Sequence, residues 1–279
     1  MRDIGKRPLV MGIVNVTPDS FSGDGVTDAV AAVDLAMRMV EDGADILDIG
    51  GESSRPGSRS IGADDEMQRV VPVIIGLRKR HPDIPLSIDT TKAKVAFAAC
   101  EAGATILNDV SALIADGDMA GLVAKRGLHV VLMHNRSRSG AITEDARLGG
   151  QYDAPGYNQI VDDVVRELSE RRDAARAVGI AEDKIIVDPG IGFGKSVAQN
   201  CALINHIDAI KQNLRCPVLV GPSRKSFIGR VLDTPPDERL EGTAAAIAVS
   251  VVRGADIVRV HDVKFMARMV RMTQAIAES

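Results

Sequence analysis

The chain of 279 residues has no tryptophan, and aromatic residues make up 3% of it. A surface that grips nucleic acid by base stacking needs such rings, so that class is not expected. The formal net charge is −4 and there are no basic runs, which also argues against nucleic acid as the main partner. Cysteines number three, Cys100, Cys201 and Cys216. They are scattered, odd in number and without metal-ligand spacing, and read as reduced, mostly structural thiols of a cytoplasmic protein. No H-x-x-x-H or C-x-x-C supports a zinc site. No apolar run approaches the roughly 18–20 residues of a membrane span. A charged n-region followed by an apolar h-region, the mark of a secretion signal, is missing as well. No linker or low-complexity segment divides the sequence, so one domain over residues 1–279 is expected.

What is present is an ordinary globular composition, 45% hydrophobic and 26% charged. It is arranged as an alternation. Short, nearly continuous apolar strands are expected over 8–16, 44–50, 85–89, 105–109, 129–134, 184–188, 217–221 and 256–261. Helical stretches are expected over 28–41, 64–80, 92–102, 119–125, 158–177, 198–214, 242–253 and 264–277. EDGADILDIGG, EAGATILNDV and VRGADIVRVHD repeat one device, in which a helix ends, a glycine turns the chain and a strand follows at once. Continuous apolar strands joined by helical crossovers predict a parallel sheet covered on both faces. Eight such units without a split favour an α/β fold of the closed TIM-barrel type, a single (β/α)8 barrel, over an open sheet.

A barrel of this kind does its chemistry at the C-terminal ends of its strands. Those ends read, in order, Asn15, Asp48, Asp89, Asn108, His134, Asp188, Ser223 with Lys225, and Arg259 with His261. Asp and Asn are also common caps and turn residues where a strand meets a helix. Arg259, His261 and Lys225 are not, and Arg259 and His261 stand two apart on an apolar strand, on one face of it. The rim therefore offers carboxylates and amides for a heterocycle's donor–acceptor edge and cations for phosphate.

Several motifs sharpen or mislead. DPGIGFGKS resembles a P-loop, but Pro189 stands where the first glycine is needed, so nucleotide binding is rejected. Its glycines suit a backbone passing close to a flat ligand, and Lys195 is read as solvated. No G-x-S-x-G elbow is present. His81, His129 and His206 read as structural. In GPSRKSFIG a short helix is expected from Ser226, and exposed N–H groups at such a position bind anions. The loops after the first and second strands, TPDSFSGDG and GGESSRPGS, are too rich in hydroxyls, glycines and charge, with Glu52 and Arg55 in the second, to be mere crossovers.

GIVNVTPDSFS, DIGGESSRPG, SIDT, LNDV, VLMHN, DPGIGFGK, GPSRKSFIG and VRVHDV appear in one order over nearly the whole chain. As an ordered set they resemble the dihydropteroate synthases. Corrinoid methyltetrahydrofolate methyltransferase-like barrels share the Asp and Asn pattern but generally lack the combined first loop, S-R-K and R-x-H. A non-catalytic pterin-binding paralogue would not need the phosphate-binding set. The resemblance implies a transferase of folate biosynthesis: 6-hydroxymethyl-7,8-dihydropterin diphosphate condenses with p-aminobenzoate to give 7,8-dihydropteroate and diphosphate. It implies Mg2+ as cofactor, a homodimer, and sensitivity to sulfonamides. It places the pterin on Asp89, Asn108, Met133, Asp188 and Lys225, and the diphosphate on Asn15, Arg259 and His261, with Asn15 also on the metal. Phe21, Ser54, Arg55, Pro56 and Ser226 would take p-aminobenzoate, and the catalytic set would be Asn15, Asp89, Lys225, Arg259 and His261. The first loop departs from the family's usual S-F-S-D-G-G, since Gly23 precedes Asp24 here. Ser54 stands where threonine is common. The apolar helix GTAAAIAVSVV is expected to help form a dimer through the last helices.

Overall fold

The computed structural model describes residues 4–17, 28–53, 60–137, 142–143, 145–153 and 156–279. Eight parallel strands run in chain order: β1 Leu9–Asn15, β2 Ile46–Gly50, β3 Leu86–Asp89, β4 Ile106–Asp109, β5 His129–Met133, β6 Ile185–Asp188, β7 Leu219–Val220 and β8 Ile257–Val260. Their lateral order is β6-β5-β4-β3-β2-β1-β8-β7. A parallel bridge between Val187 and Val218 joins the two ends, with the Val187 N–H donating to the Pro217 carbonyl at 2.9 Å. The sheet is thereby closed into the expected (β/α)8 barrel, without the exposed edges an open sheet would leave.

The helices are α1 Ala29–Glu41, α2 Ala63–Arg80, α3 Ala93–Ala102, α4 Met119–Arg126, α5 Ile160–Ala177, α6 Val197–Asn205, α7 Ile207–Leu214, α8 Ser226–Leu232, α9 Leu240–Val252 and α10 Val263–Ala277. The repeated helix-to-strand device rests on Gly43, Gly103 and Gly254, at φ of 107°, 119° and 91°. That left-handed region is open to glycine without steric cost. The single helix expected over 198–214 is two helices. His206, at φ −122° and ψ 29°, ends α6 and starts α7, and its Nδ1 lies 2.8 Å from the Ala202 carbonyl. Between β5 and α5 the chain also forms an unexpected antiparallel hairpin, Ile142–Thr143 with Gln151–Tyr152.

Alternation along the strands positions the site. Leu9, Met11, Ile46, Ile106, Val131, Ile186, Leu219 and Ile257 form a buried cluster inside the barrel. The intervening residues, such as Val10, Leu47, Leu107, Val130, Val187 and Val258, join the larger core under the helices. Side chains of a strand alternate in direction, so the residue two beyond an interior apolar one also points inward. Those residues are Ile13, Asp48, Asn108, Met133, Asp188, Gly221 and Arg259, with Asp89 two beyond the buried Ser87. The sequence thus switches from apolar to polar on one face of the same strands, at the C-terminal end of the barrel.

Candidate active site

A cleft at that end is lined by Asn15, Asp89, Asn108, Met133, Asp188, Lys225, Ser226, Arg259 and His261. These are all the expected site residues that fall within the described chain. Phe21, Ser54, Arg55 and Pro56 lie outside it, as does Asp24. Further lining comes from the hairpin region (Leu148, Gly149, Gly150, Tyr152), from Phe193 after β6, and from Glu52 and Ser53 after β2.

The strand-borne side is an ionic network. Arg259 donates from Nε to Asp48 Oδ2 at 2.6 Å and from Nη2 to Asp89 Oδ2 at 2.7 Å. Asp48 also accepts from Asn108 Nδ2 at 3.0 Å. Asp48 is fully buried, so its charge is tolerable only with these partners. It stood among the strand-end residues in sequence, but its part in orienting both Asn108 and Arg259 had no signal there. Burial pushes the Asp89 carboxyl up to about 7; Arg259 pulls the other way, and neighbouring Asp48 adds to the rise. Burial also raises Asp188, against the pull of Lys225. Lys225 is lowered to about 8 by burial, with Asp188 opposing. Buried acids and bases moved toward each other in this way are common at functional sites.

Around β6 and β7 the site is built on loops. Asp188 Oδ1 accepts from the Gly190 N–H at 2.7 Å, tightening the turn. The Lys225 ammonium bonds the Ile191 carbonyl and sits 4.7 Å from the centroid of the Phe193 ring, a cation–π arrangement. Tyr152 stacks on the other aromatic residue, with centroids 6.2 Å apart and planes 22° apart. His261 is oriented by Ser223, whose hydroxyl lies 3.0 Å from Nδ1 and accepts from the His261 N–H at 3.2 Å. Ser226 opens α8, next to Lys225.

Two sequence expectations are corrected. Lys195 is not solvated: it is 1% exposed. Its ammonium donates to the carbonyls of Gly190 and Phe193, both at 2.9 Å, and of His134 at 3.4 Å. Three carbonyls match the three N–H groups of a lysine. Burial draws its pKa down to about 7, with Asp188 opposing. His134 is not at the rim facing the cleft. It follows Met133, hence points outward, and meets Glu167 of α5 at 3.0 Å. Burial, then Lys195, lowers its pKa, with Glu167 opposing. Tyr152 and Phe193 were missed. A lone aromatic residue within DPGIGFGK was the available signal for Phe193, whereas Tyr152 lies on strands too short to show a period.

Residues 11–261 match the pterin binding enzyme family. The chain belongs to that family. Among its relatives, the dihydropteroate synthase of Bacillus subtilis (strain 168) is 45% identical over 272 residues, covering 97% of this chain and 89% of that protein. That of Escherichia coli (strain K12) is 39% identical, covering 96% and 91%. The pterin binding enzyme fold is equally close in solved structures. The Yersinia pestis dihydropteroate synthase with a sulfonamide drug complex superposes with a TM-score of 0.90 at 39% identity, covering 98% of this chain and 96% of that one. The Xanthomonas albilineans enzyme with 4-aminobenzoic acid gives 0.86 at 42%, covering 98% and 94%. No helix among the described residues of this family member is long and apolar enough to cross a membrane.

Proposed function

We infer that the chain is a dihydropteroate synthase, a transferase of folate biosynthesis that joins 6-hydroxymethyl-7,8-dihydropterin diphosphate to p-aminobenzoate and releases diphosphate. What supports this is one cleft holding Asp89, Asn108, Asp188 and Lys225 beside Arg259 and His261, in a chain so similar to named synthases over its length. Asp89, Asn108 and Asp188 take the donor edge of the pterin, Lys225 hydrogen-bonds the ring, and Met133 packs against it. Arg259 keeps Nε and Nη2 on Asp48 and Asp89 and offers Nη1 to a phosphate oxygen. His261 and Asn15 complete the diphosphate site.

Mg2+ fits this donor set. Asn15 supplies one neutral amide oxygen, a hard donor beside the place the diphosphate takes in this reading. Such a site suits a cation that keeps most of its water and rides on substrate phosphates. When bound there, it would neutralise charge on the departing diphosphate. The chain's own cations, Arg259 and His261, are placed to do the same.

The dihydropterin ring can delocalise a developing methylene cation, so a loose displacement is favoured. The C–O bond to diphosphate breaks, the arylamine nitrogen forms the new C–N bond, and its proton leaves afterwards, so no strong base is required. Ser226 takes the arylamine carboxylate. Water would capture the cation and has to be kept from it; in this reading that role falls to Phe21, Ser54, Arg55 and Pro56, which lie outside the described residues. The protein is cytoplasmic, sulfonamide-sensitive and a homodimer. The dimer is supported by exposed Val249 and Val252 on α9 and Phe265, Met272 and Ile276 on α10; light scattering that gives the mass of one chain at micromolar concentration would contradict it. The decisive assay mixes the pterin diphosphate with p-aminobenzoate. Diphosphate release and dihydropteroate that both require p-aminobenzoate are expected; pterin binding without product would indicate a non-catalytic paralogue.

A further inference from the structure

One buried cation in the lining of the cleft has no part in the chemistry above. Arg239, just before α9, is 2% exposed. Its Nε donates to the Thr234 carbonyl at 3.1 Å and its Nη1 to the Arg224 carbonyl at 2.9 Å. Its Nη2 donates to the carbonyls of Leu148 and Thr234, both at 2.9 Å. Every one of these acceptors is backbone. The rigid fork of a guanidinium can fix several separate segments at once, and a buried charge is tolerable only when its donors are so placed. Gly229 makes the room: a Cβ there would lie 2.1 Å from Arg239 Nη2.

Two of the carbonyls, those of Arg224 and Leu148, belong to different walls of the cleft. Arg224 precedes Lys225 and Ser226 and stands at φ +57°, a left-handed conformation that a non-glycine residue holds only when its surroundings impose it. Leu148 belongs to the hairpin wall, which continues through Gly149 and Gly150 to Tyr152.

The two walls depend unequally on Arg239. The Arg224 turn has further anchors: its N–H donates to Thr243 Oγ1 at 3.1 Å, and its guanidinium pairs with Asp262 at 2.9 and 2.6 Å. Ties of the hairpin wall include the Tyr152–Phe193 stack and the Arg147–Asp233 pair. The latter is largely exposed, and exposed pairs contribute little. Asp89, Asn108 and Asp188, by contrast, stand on barrel strands.

We propose that Arg239 is a positioning residue for the arylamine half of the cleft: it holds the Leu148–Tyr152 wall against the turn bearing Ser226, and so sets affinity for p-aminobenzoate and its mimics while sparing the pterin half. This rests on the dihydropteroate synthase reading, with the aryl ring against the Tyr152 and Phe193 side and its carboxylate at Ser226.

Steady-state kinetics of the full chain, varying each substrate separately, tests it on Arg239→Met, Arg239→Lys, Gly229→Ala and Tyr152→Ala. Arg239→Met and Gly229→Ala should raise KM for p-aminobenzoate about tenfold while KM for the pterin diphosphate stays within about twofold. Arg239→Lys should recover part of the loss, because an ammonium still reaches some of the carbonyls. Tyr152→Ala removes the wall itself, away from the barrel core, and should give the same split even if an Arg239 variant fails to fold. Equal rises in both KM values, or a Tyr152→Ala variant with unchanged p-aminobenzoate KM, would overturn the proposal while leaving the synthase reading intact. A wild-type protein that forms no dihydropteroate would bring down both.

Discussion

The two halves of the cleft hold their cations differently. On the strand-borne half, Arg259 lies between the carboxylates of Asp48 and Asp89. On the loop-borne half Arg224 also has a carboxylate partner, Asp262, but Arg239 and, behind the cleft, Lys195 are buried deeper, and their bonds end on peptide carbonyls. A carboxylate partner carries a full charge, so a charged ligand competes with it and can redistribute the network. A carbonyl has no charge to trade, and a cation on several carbonyls stays put. The first arrangement suits groups that must answer a diphosphate; the second suits pegs that give loops the fixity strands have from their ladders.

The largest effect that tests this contrast should come from Asp188→Ala, which removes a cleft carboxylate on β6 and should abolish pterin binding by calorimetry. Near-normal affinity would refute the assignment. Arg259→Met should come next, because it strands two carboxylates, one of them fully buried. Breaking such a pair costs about 3–5 kcal/mol, seen as a lowered denaturant midpoint that an added Asp48→Asn change partly restores. Lys195→Met should cost less, about 1–3 kcal/mol for unsatisfied buried carbonyls. Its loss should be local, read as faster amide exchange over 188–196 with the barrel strands still protected.

The smallest effect concerns pH. The folded Asp89 carboxyl titrates near 7, raised by burial from an ordinary value near 4. Its charged form, the one that accepts a pterin N–H, is therefore lost as pH falls through 7. KM for the pterin diphosphate should rise modestly from pH 8 to 6, and Asp89→Asn should flatten that dependence around an already raised value. A wild-type KM constant over this range would show that Asp89 is already charged at pH 6. The same shift has a sign for stability. Between about 4 and 7 the folded state binds the extra proton, so this carboxyl lowers stability as pH rises through that window.

The strand half was legible in sequence because period and polarity coincide there. Met11, Ile13 and Asn15 step along one face of β1, as Ile257, Arg259 and His261 do along β8 and just past it. The eight units followed from the apolar runs and the glycine turns. The loop half was obscure for physical reasons. Lys195 sits among glycines, where a lysine is ordinarily solvated, and its burial depends on carbonyls from two segments. Arg239, in DERLEG, looks like one more charge on a helix start. The hairpin strands have two residues each, too short for any alternation to register, and the break at His206 leaves the apolar pattern of α6 and α7 uninterrupted. Asp48 was visible as a strand end, but its partner Arg259 is 211 residues away.

The every-second-residue rhythm of the barrel strands also bears on which changes in gene length the molecule can absorb. Losing or gaining one codon inside β2 or β8 would turn every later side chain of that strand inside out, swapping Asp48 or Arg259 for an aliphatic neighbour and pushing the charge among the helices. A codon gained in the hairpin excursion would shift only one wall. Lineages of this sequence should therefore record insertions and deletions between the strands, while inside them change is confined to substitution, letter for letter.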